Sequence, residues 1–192
     1  MTTSQAFSNE DWYRQLLRKR GDSAQVCIDA LQKILALALT LAVHPSQHVE
    51  YQWDNWLTAL LRLSKRSIRL PSCLYVTGIR QIERSLELQT PTTDIFHGTH
   101  RGQRVILKRY RFCTGMLSLE AQNQMLIKEA IIWANHQHIG ILPFIGVFRL
   151  EDNPLESGLF LVSPFLEHGT IVAYLTTHPH VNRRIKRSLS HR

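Results

Sequence analysis

The change of hydrophobic period near Leu70 constrains the fold of this 192-residue chain more than any other feature. Over residues 12–67, apolar side chains recur every three or four positions, which is typical of amphipathic helices. Beyond Leu70, short stretches alternate polar and apolar residues, as half-buried strands do. We therefore predict an α+β fold, in which an α-helical extension over residues 1–70 precedes a region built around a sheet.

The helical extension is predicted to hold two main helices separated by a break at Pro45. Asp22 and Ser23 are good N-cap residues for the first helix. Its apolar run over 34–43 is shorter than the roughly 20 residues that a membrane span needs, so we expect no membrane span. The second helix ends in a basic stretch, 62–69, which we interpret as a solvated helix end, because nucleic-acid sites interleave such charge with aromatic residues.

The second region is predicted to contain strands and helices in a fixed order. Three strands come first, then a helix, two more strands and a short helix. We place the strands at 85–89, 94–101, 103–111, 142–150 and 158–165, and the helices at 118–137 and 170–178. A turn at Gly102 joins the second strand to the third.

Composition is that of a globular protein, with 44% hydrophobic and 20% charged residues. The net charge of +8 permits contact with anionic partners but identifies none. Cys27, Cys73 and Cys113 are widely spaced and odd in number, so we predict reduced thiols and a cytoplasmic location. The ten histidines lack partners at metal-ligand spacing, and no metal site is predicted.

Three motifs in the second region carry a family resemblance. They are VILK at 105–108, KEAIIWANHQHIGILPFIGVF at 128–148 and LFLVSPFLEHGTIVAYL at 159–175. In this order they resemble the N-terminal lobe of the protein kinase family, and in particular that of tyrosine-kinase-like Ser/Thr kinases. The preceding stretches ALLRLSKRS at 59–67 and LPSCLYVTGI at 70–79 resemble the helical extension of a kinase-like group of fungal type. The resemblance implies a protein-kinase-like N-lobe, with a five-stranded antiparallel sheet plus helix C, hinge and helix D over residues 71–181. Residues 182–192 would then be a basic tail.

The resemblance also implies a set of nucleotide-binding residues and ATP as the cofactor. Lys108 matches the lysine that holds the ATP phosphates, and Glu129 matches the helix C glutamate that pairs with it. Ile95 and Ile106 would contact the adenine ring. Ser163 takes the gatekeeper position, and Phe165 and Leu166 belong to the hinge.

The physical chemistry of these residues agrees with that assignment but leaves alternatives open. A lysine ammonium is a compact charge suited to phosphate oxygens, and beside a nucleotide it needs an opposing carboxylate. The less favoured alternative is that Lys108 is a solvated edge charge in a strand rich in Arg and Lys, with Glu129 a surface glutamate. Ile95 and Ile106 could be ordinary core residues.

The sequence departs from the family at two places. Leu88, Thr90 and Thr93 stand where the family has the glycines of its phosphate-binding loop, and Pro91 lacks an N–H, so ATP binding should be weak or absent. The 192 residues also contain neither the H-R-D catalytic loop nor D-F-G. We therefore expect an inactive, truncated kinase, with Mg²⁺ bound only if a C-lobe is supplied.

A second hypothesis belongs to a different functional class. A lone N-lobe exposes apolar surface, which often marks an interaction site. The chain would then be a non-catalytic, pseudokinase-type module that binds a protein partner, with another kinase as one candidate. Nucleic acid is the least favoured partner, because basic charge alone does not specify one.

Overall fold

The computed structural model describes residues 9–41, 47–85, 91–110, 119–150, 158–169 and 171–178. Over these ranges the fold is α+β, as the change of period predicts. The chain divides into two compact units. A helical unit takes residues 1–75 and 112–135, and a sheet unit takes residues 76–111 and 136–192. The predicted domain limits at 70 and 181 stay predictions.

Four helices form the helical unit. They are α1 (Asn9–Arg18), α2 (Gly21–Leu41), α3 (Gln47–Ser67) and α4 (Leu119–Ala134). The first, second and fourth all pack on α3. Apolar side chains that recur at helical spacing are buried on each of α2, α3 and α4, as expected for one shared core. They are Ala24, Ile28, Leu31 and Leu35 on α2, Leu57, Leu60 and Leu63 on α3, and Leu126, Ile127, Ala130 and Ile131 on α4.

A pair of buried amides joins α2 to the end of α4. Gln32 Nε2 donates to Asn135 Oδ1, and Asn135 Nδ2 donates to Gln32 Oε1, both at 3.0 Å. Asn135 also donates to the carbonyl of Ile131 at 2.9 Å. Both side chains are almost fully buried, so each depends on the other for its hydrogen bonds.

By length and composition alone, α2 is apolar enough over Gly21–Thr40 to cross a membrane, and 28% of that stretch is buried. This is a weak indication, because core helices of soluble proteins pass the same test. The helix also carries Asp29, whose carboxylate accepts hydrogen bonds from Ser72 N at 2.7 Å and Ser72 Oγ at 2.9 Å. The absence of a membrane span remains a prediction.

Six strands form one sheet in the described ranges, where the resemblance implied five. They are β1 (Tyr75–Val76), β2 (Ile79–Arg84), β3 (Thr93–His100), β4 (Gln103–Tyr110), β5 (Gly146–Leu150) and β6 (Gly158–Pro164). The spatial order is β1-β5-β6-β4-β3-β2. The pairs β2–β3, β3–β4, β4–β6 and β5–β6 are antiparallel. A short helix, α5 (Ile171–Thr177), follows the sheet.

Strand positions agree best with the predictions where alternation is strong. β3, β4 and β6 fall within one residue of the predicted bounds at both ends, and the turn at Gly102 is confirmed. The strand predicted at 85–89 is not observed at Ser85, and the rest of it lies outside the described residues. Instead β2 occupies Ile79–Arg84, where polar side chains outnumber apolar ones because the strand is at the edge of the sheet.

One face of the sheet carries an apolar core. Residues that alternate along β3, β4 and β6 meet there, because residues opposite each other in antiparallel strands point to the same side. The buried members are Ile79, Phe96, Val105, Leu107, Phe160 and Val162. The rings of Phe96 and Phe160 make an edge-to-face contact, with centroids 5.3 Å apart.

Candidate functional site

Four of the predicted nucleotide-binding residues lie on the face of the sheet opposite this core. Ile95 pairs with Lys108 across β3 and β4, and Ile106 pairs with Ser163 across β4 and β6. These positions alternate with the core residues Val105 and Leu107, so their side chains point to the other side. Strand β4 lies between β3 and β6, which places Lys108 in the interior of the sheet. Lys108 is therefore not on an edge strand, contrary to the alternative of a solvated edge charge.

Lys108 itself is half-buried. Its Nζ lies 5.0 Å from the centre of the Tyr110 ring, a cation–π contact with the next residue on the same face. Its row partner on β6 is Leu161, which is fully buried. This position is typical of long basic side chains, whose aliphatic stem packs on apolar surface while the charged end group stays accessible.

Phe165 follows β6 directly and is held against β4. Its backbone N–H donates to the carbonyl of Arg104 at 3.1 Å. The guanidinium of Arg104 lies 3.7 Å from the centre of the Phe165 ring, and the His97 ring lies 5.6 Å from it. Leu166, the next residue, is 52% exposed. The sequence predicted Phe165 as a hinge residue, but it did not predict that Arg104 and His97 would contact its ring. For Arg104 a signal was available, because it alternates with Ile106 and Lys108 along the same strand face.

Glu129 lies on α4 and is half-buried. It belongs to the helical unit, whereas Lys108 belongs to the sheet unit. The ion pair between the two remains a prediction. Glu129 follows the buried Leu126 by three residues, so it lies at one border of the buried stripe of α4.

The segment that replaces the glycine-rich loop is described only in part. Thr93 is buried as the first residue of β3, and Pro91 and Thr92 form a turn before it. Leu88 and Thr90 lie outside the described residues. In the part of the chain that the structure describes, no group of three or more His, Cys, Asp or Glu side chains is placed to hold a metal ion.

A buried ion cluster on the core face was not expected from the sequence. Arg84 Nη2 is 2.7 Å from Asp94 Oδ1, and Arg109 Nη2 is 3.1 Å from Asp94 Oδ2. The guanidinium of Arg109 also lies over the rings of Phe96 and Phe160, at 5.2 and 5.5 Å. These contacts tie three strands together beneath the candidate site.

Two of the three cysteines lie in the described residues. Cys27 and Cys73 are free, and Cys113 lies outside the described ranges. Partial burial, and then the negative charge of Asp29, raise the pKa of Cys73. A raised pKa keeps the thiol protonated at neutral pH, and a protonated thiol is a poor nucleophile.

No protein-family model matches the chain, and no curated protein matches it. The case for a function therefore depends on the residues and their geometry alone.

Proposed function

We propose that this chain binds an adenine nucleotide as the ATP-binding lobe of a Ser/Thr-type protein kinase. The observation that supports the proposal is the common sheet face of Ile95, Ile106, Lys108 and Ser163, next to the segment of Phe165. A bound nucleotide needs an apolar surface for its base and a cation for its phosphates, and these neighbouring strands offer both. The complete family transfers a phosphoryl group from ATP to protein.

The two ends of this face suit different parts of the ligand. Ile106 and Ser163 lie in one row next to Phe165, where the flat base would pack. Lys108 and Ile95 lie in a row two residues further along β4, about 7 Å away, where the phosphates would reach the ammonium group. Glu129 would hold Lys108 in position if α4 brings the two together.

Binding is proposed for these residues, and phosphoryl transfer is not. Transfer requires a base or positioning carboxylate and ligands for Mg²⁺. The 192 residues include no H-R-D or D-F-G motif to supply them. ATP should therefore bind weakly and with little dependence on Mg²⁺ unless a C-lobe is added.

The test is a titration of the full chain with ATP, with and without Mg²⁺, followed by thermal melting. Lys108→Met should weaken ATP binding by about tenfold or more, because a charge-assisted bond to phosphate is lost. Lys33→Met removes an exposed lysine from α2 and is the matched control, expected to bind like the parent chain. No shift at millimolar ATP, or an equal shift in Lys108→Met, would exclude the nucleotide site.

A non-catalytic protein-interaction module is the second candidate function, and exposed apolar residues of the sheet unit favour it. Ile139 is 93% exposed, and Ile141 and Leu166 are also exposed. Exposed apolar residues mark a docking site for a partner protein where they form one contiguous patch. A defined complex that is lost in Ile139→Glu and Ile141→Glu, with ATP binding retained, would support this candidate.

A further inference from the structure

A cavity of about 520 Å³ opens at the end of the β3–β4 hairpin, within the sheet unit. Its lining comes from the turn of that hairpin, from β2 and from the link between β1 and β2. The residues that matter here are Gly78, Arg80, Gln81, His100, Arg101 and Gly102. A volume of this size is within the range of small-molecule sites.

The lining is cationic. Arg80 and Arg101 are exposed, and neither side chain forms an ion pair or hydrogen bond with another described residue. The cavity lining includes no Asp or Glu. Two guanidinium groups without a carboxylate between them attract an anion, and each can bind two oxygens of a tetrahedral oxyanion.

Neutral polar groups add unused hydrogen-bonding capacity. Thr99 Oγ1 donates to Gln81 Oε1 at 2.9 Å, which leaves the Gln81 amide nitrogen as a donor. A side-chain amide nitrogen carries two N–H donors, so Gln81 can donate to the oxygens of an anion.

The backbone around the cavity is held in an uncommon conformation. Gln81 and Arg101 have φ of 53° and 50°, and they are two of the three non-glycine residues with positive φ in the described ranges. Gly78 and Gly102 have φ of 75° and 78°. The pairing of β2 with β3 also shifts register between Arg80 and Glu83. Positive φ at Arg101 and Gly102 is the geometry that a two-residue hairpin turn requires, since His100 and Gln103 are paired. The bulge in β2 changes the direction of its side chains beside this turn.

We propose that this cavity binds the phosphate group of a small phosphorylated ligand. A phosphate monoester supplies the charge and the oxygens that two arginines and the amide of Gln81 recognise, and the remaining volume accommodates the group that the phosphate is attached to. The site is separate from the proposed nucleotide face. Ile95, in the row of Lys108, precedes Thr99 and His100 by four and five residues, which is about 14–17 Å along β3.

The experiment follows the amide resonances of Gly78 and Gly102 by NMR in the full chain. The probes are inorganic phosphate, phosphoserine and, as the uncharged comparison, serine. Phosphate and phosphoserine should give saturable shifts at both glycines, and serine should give none. Phosphoserine binding more tightly than phosphate supports a ligand that fills the cavity, whereas equal affinities support a site for the free anion.

Four variants separate this site from other cations. Arg80→Gln and Arg101→Asn should each weaken phosphate binding about tenfold, and asparagine tolerates the positive φ of Arg101. Arg18→Gln, an exposed arginine of α1, and Lys108→Met should leave it unchanged.

Three results would overturn the proposal. The first is the absence of saturable shifts with phosphate up to about 10 mM, well above a millimolar Kd. The second is an equal weakening in Arg18→Gln and Arg80→Gln, which would indicate general charge attraction. The third is loss of phosphate binding in Lys108→Met but not in Arg80→Gln, which would assign the phosphate to the nucleotide face.

Discussion

Lys108 and Arg109 are adjacent cations on β4, but they point to opposite faces of the sheet. Lys108 lies on the candidate face, whereas Arg109 points into the core and binds Asp94. Because successive side chains of a strand point to opposite faces, Lys108 is a candidate for ligand binding while its neighbour Arg109 has a structural role. Counting basic residues along the strand cannot make this distinction, because both belong to the same run.

The Asp94 cluster is predicted to be a major contributor to stability of the sheet unit. Asp94→Asn removes the carboxylate that neutralises the largely buried Arg109, and losing one partner of a buried pair costs about 3–5 kcal/mol. The free energy of unfolding by urea measures this effect. Arg84 is partly exposed, so Arg84→Gln should lower the same quantity by only about 1 kcal/mol or less. Equal losses in the two variants would contradict this account.

At the scale of elements, α4 is fixed to α2 by the paired amides of Gln32 and Asn135. Their sequence separation is 103 residues, so neither local pattern nor spacing predicts that they meet. Each is an unremarkable polar residue in a helical stretch until the fold buries both. Together they favour the register in which the two amides meet, because both are almost fully buried and each bonds the other.

Replacing one member of this pair should destabilise the helical unit by about 1–3 kcal/mol, because the other amide is left buried without its partner. Gln32→Leu and Asn135→Leu are the single variants, measured by urea unfolding. The double variant should lose less than the sum of the two, since the coupling energy of contacting residues reaches about 0.5–3 kcal/mol. Gln124→Leu removes an amide of α4 that donates to nearby Glu120 at 3.3 Å in an exposed contact, and it is expected to change stability by less than about 0.5 kcal/mol. Strict additivity of the two changes would argue against a coupled pair.

The elements that the sequence predicts well are those with a single strong period. The alternation of β4 and the apolar spacing of α4 predict both elements and the directions of Lys108 and Arg109. The strand β2 is missed because an edge strand needs few apolar residues, and four of its six side chains are charged or amide groups. The cavity beside it lies at a turn that the sequence predicts and at a bulge with positive φ at Gln81, and no local preference of Gln81 indicates that bulge.

At the scale of the whole molecule, α4 belongs with the helices of the N-terminal extension. The sequence resemblance assigned it as helix C of the 71–181 lobe, but its packing on α3 and its bond to Gln32 show that the extension covers part of its surface. Four apolar side chains of α4 are buried, and the helix depends on this packing for its stability.

Removal of residues 1–70 should therefore leave a fragment that does not fold stably. The buried stripe of α4, including Leu126, Ile127 and Ile131, would lose the packing that α3 provides. Comparison of fragment 71–192 with the full chain by soluble yield and by the cooperativity of thermal unfolding measures the effect. A soluble fragment that melts in one sharp transition would show that the sheet unit and α4 are stable without the extension.

The position of β2 at the end of the sheet also bears on self-association. An edge strand presents unpaired backbone groups to which a second copy of the chain could add its own strand. Here the outer strand carries Arg80, Glu83 and Arg84 and is bent by a register shift, and the strand at the other end, β1, is only two residues long. Charge and bending at one edge, and short length at the other, oppose edge-to-edge aggregation through the six described strands.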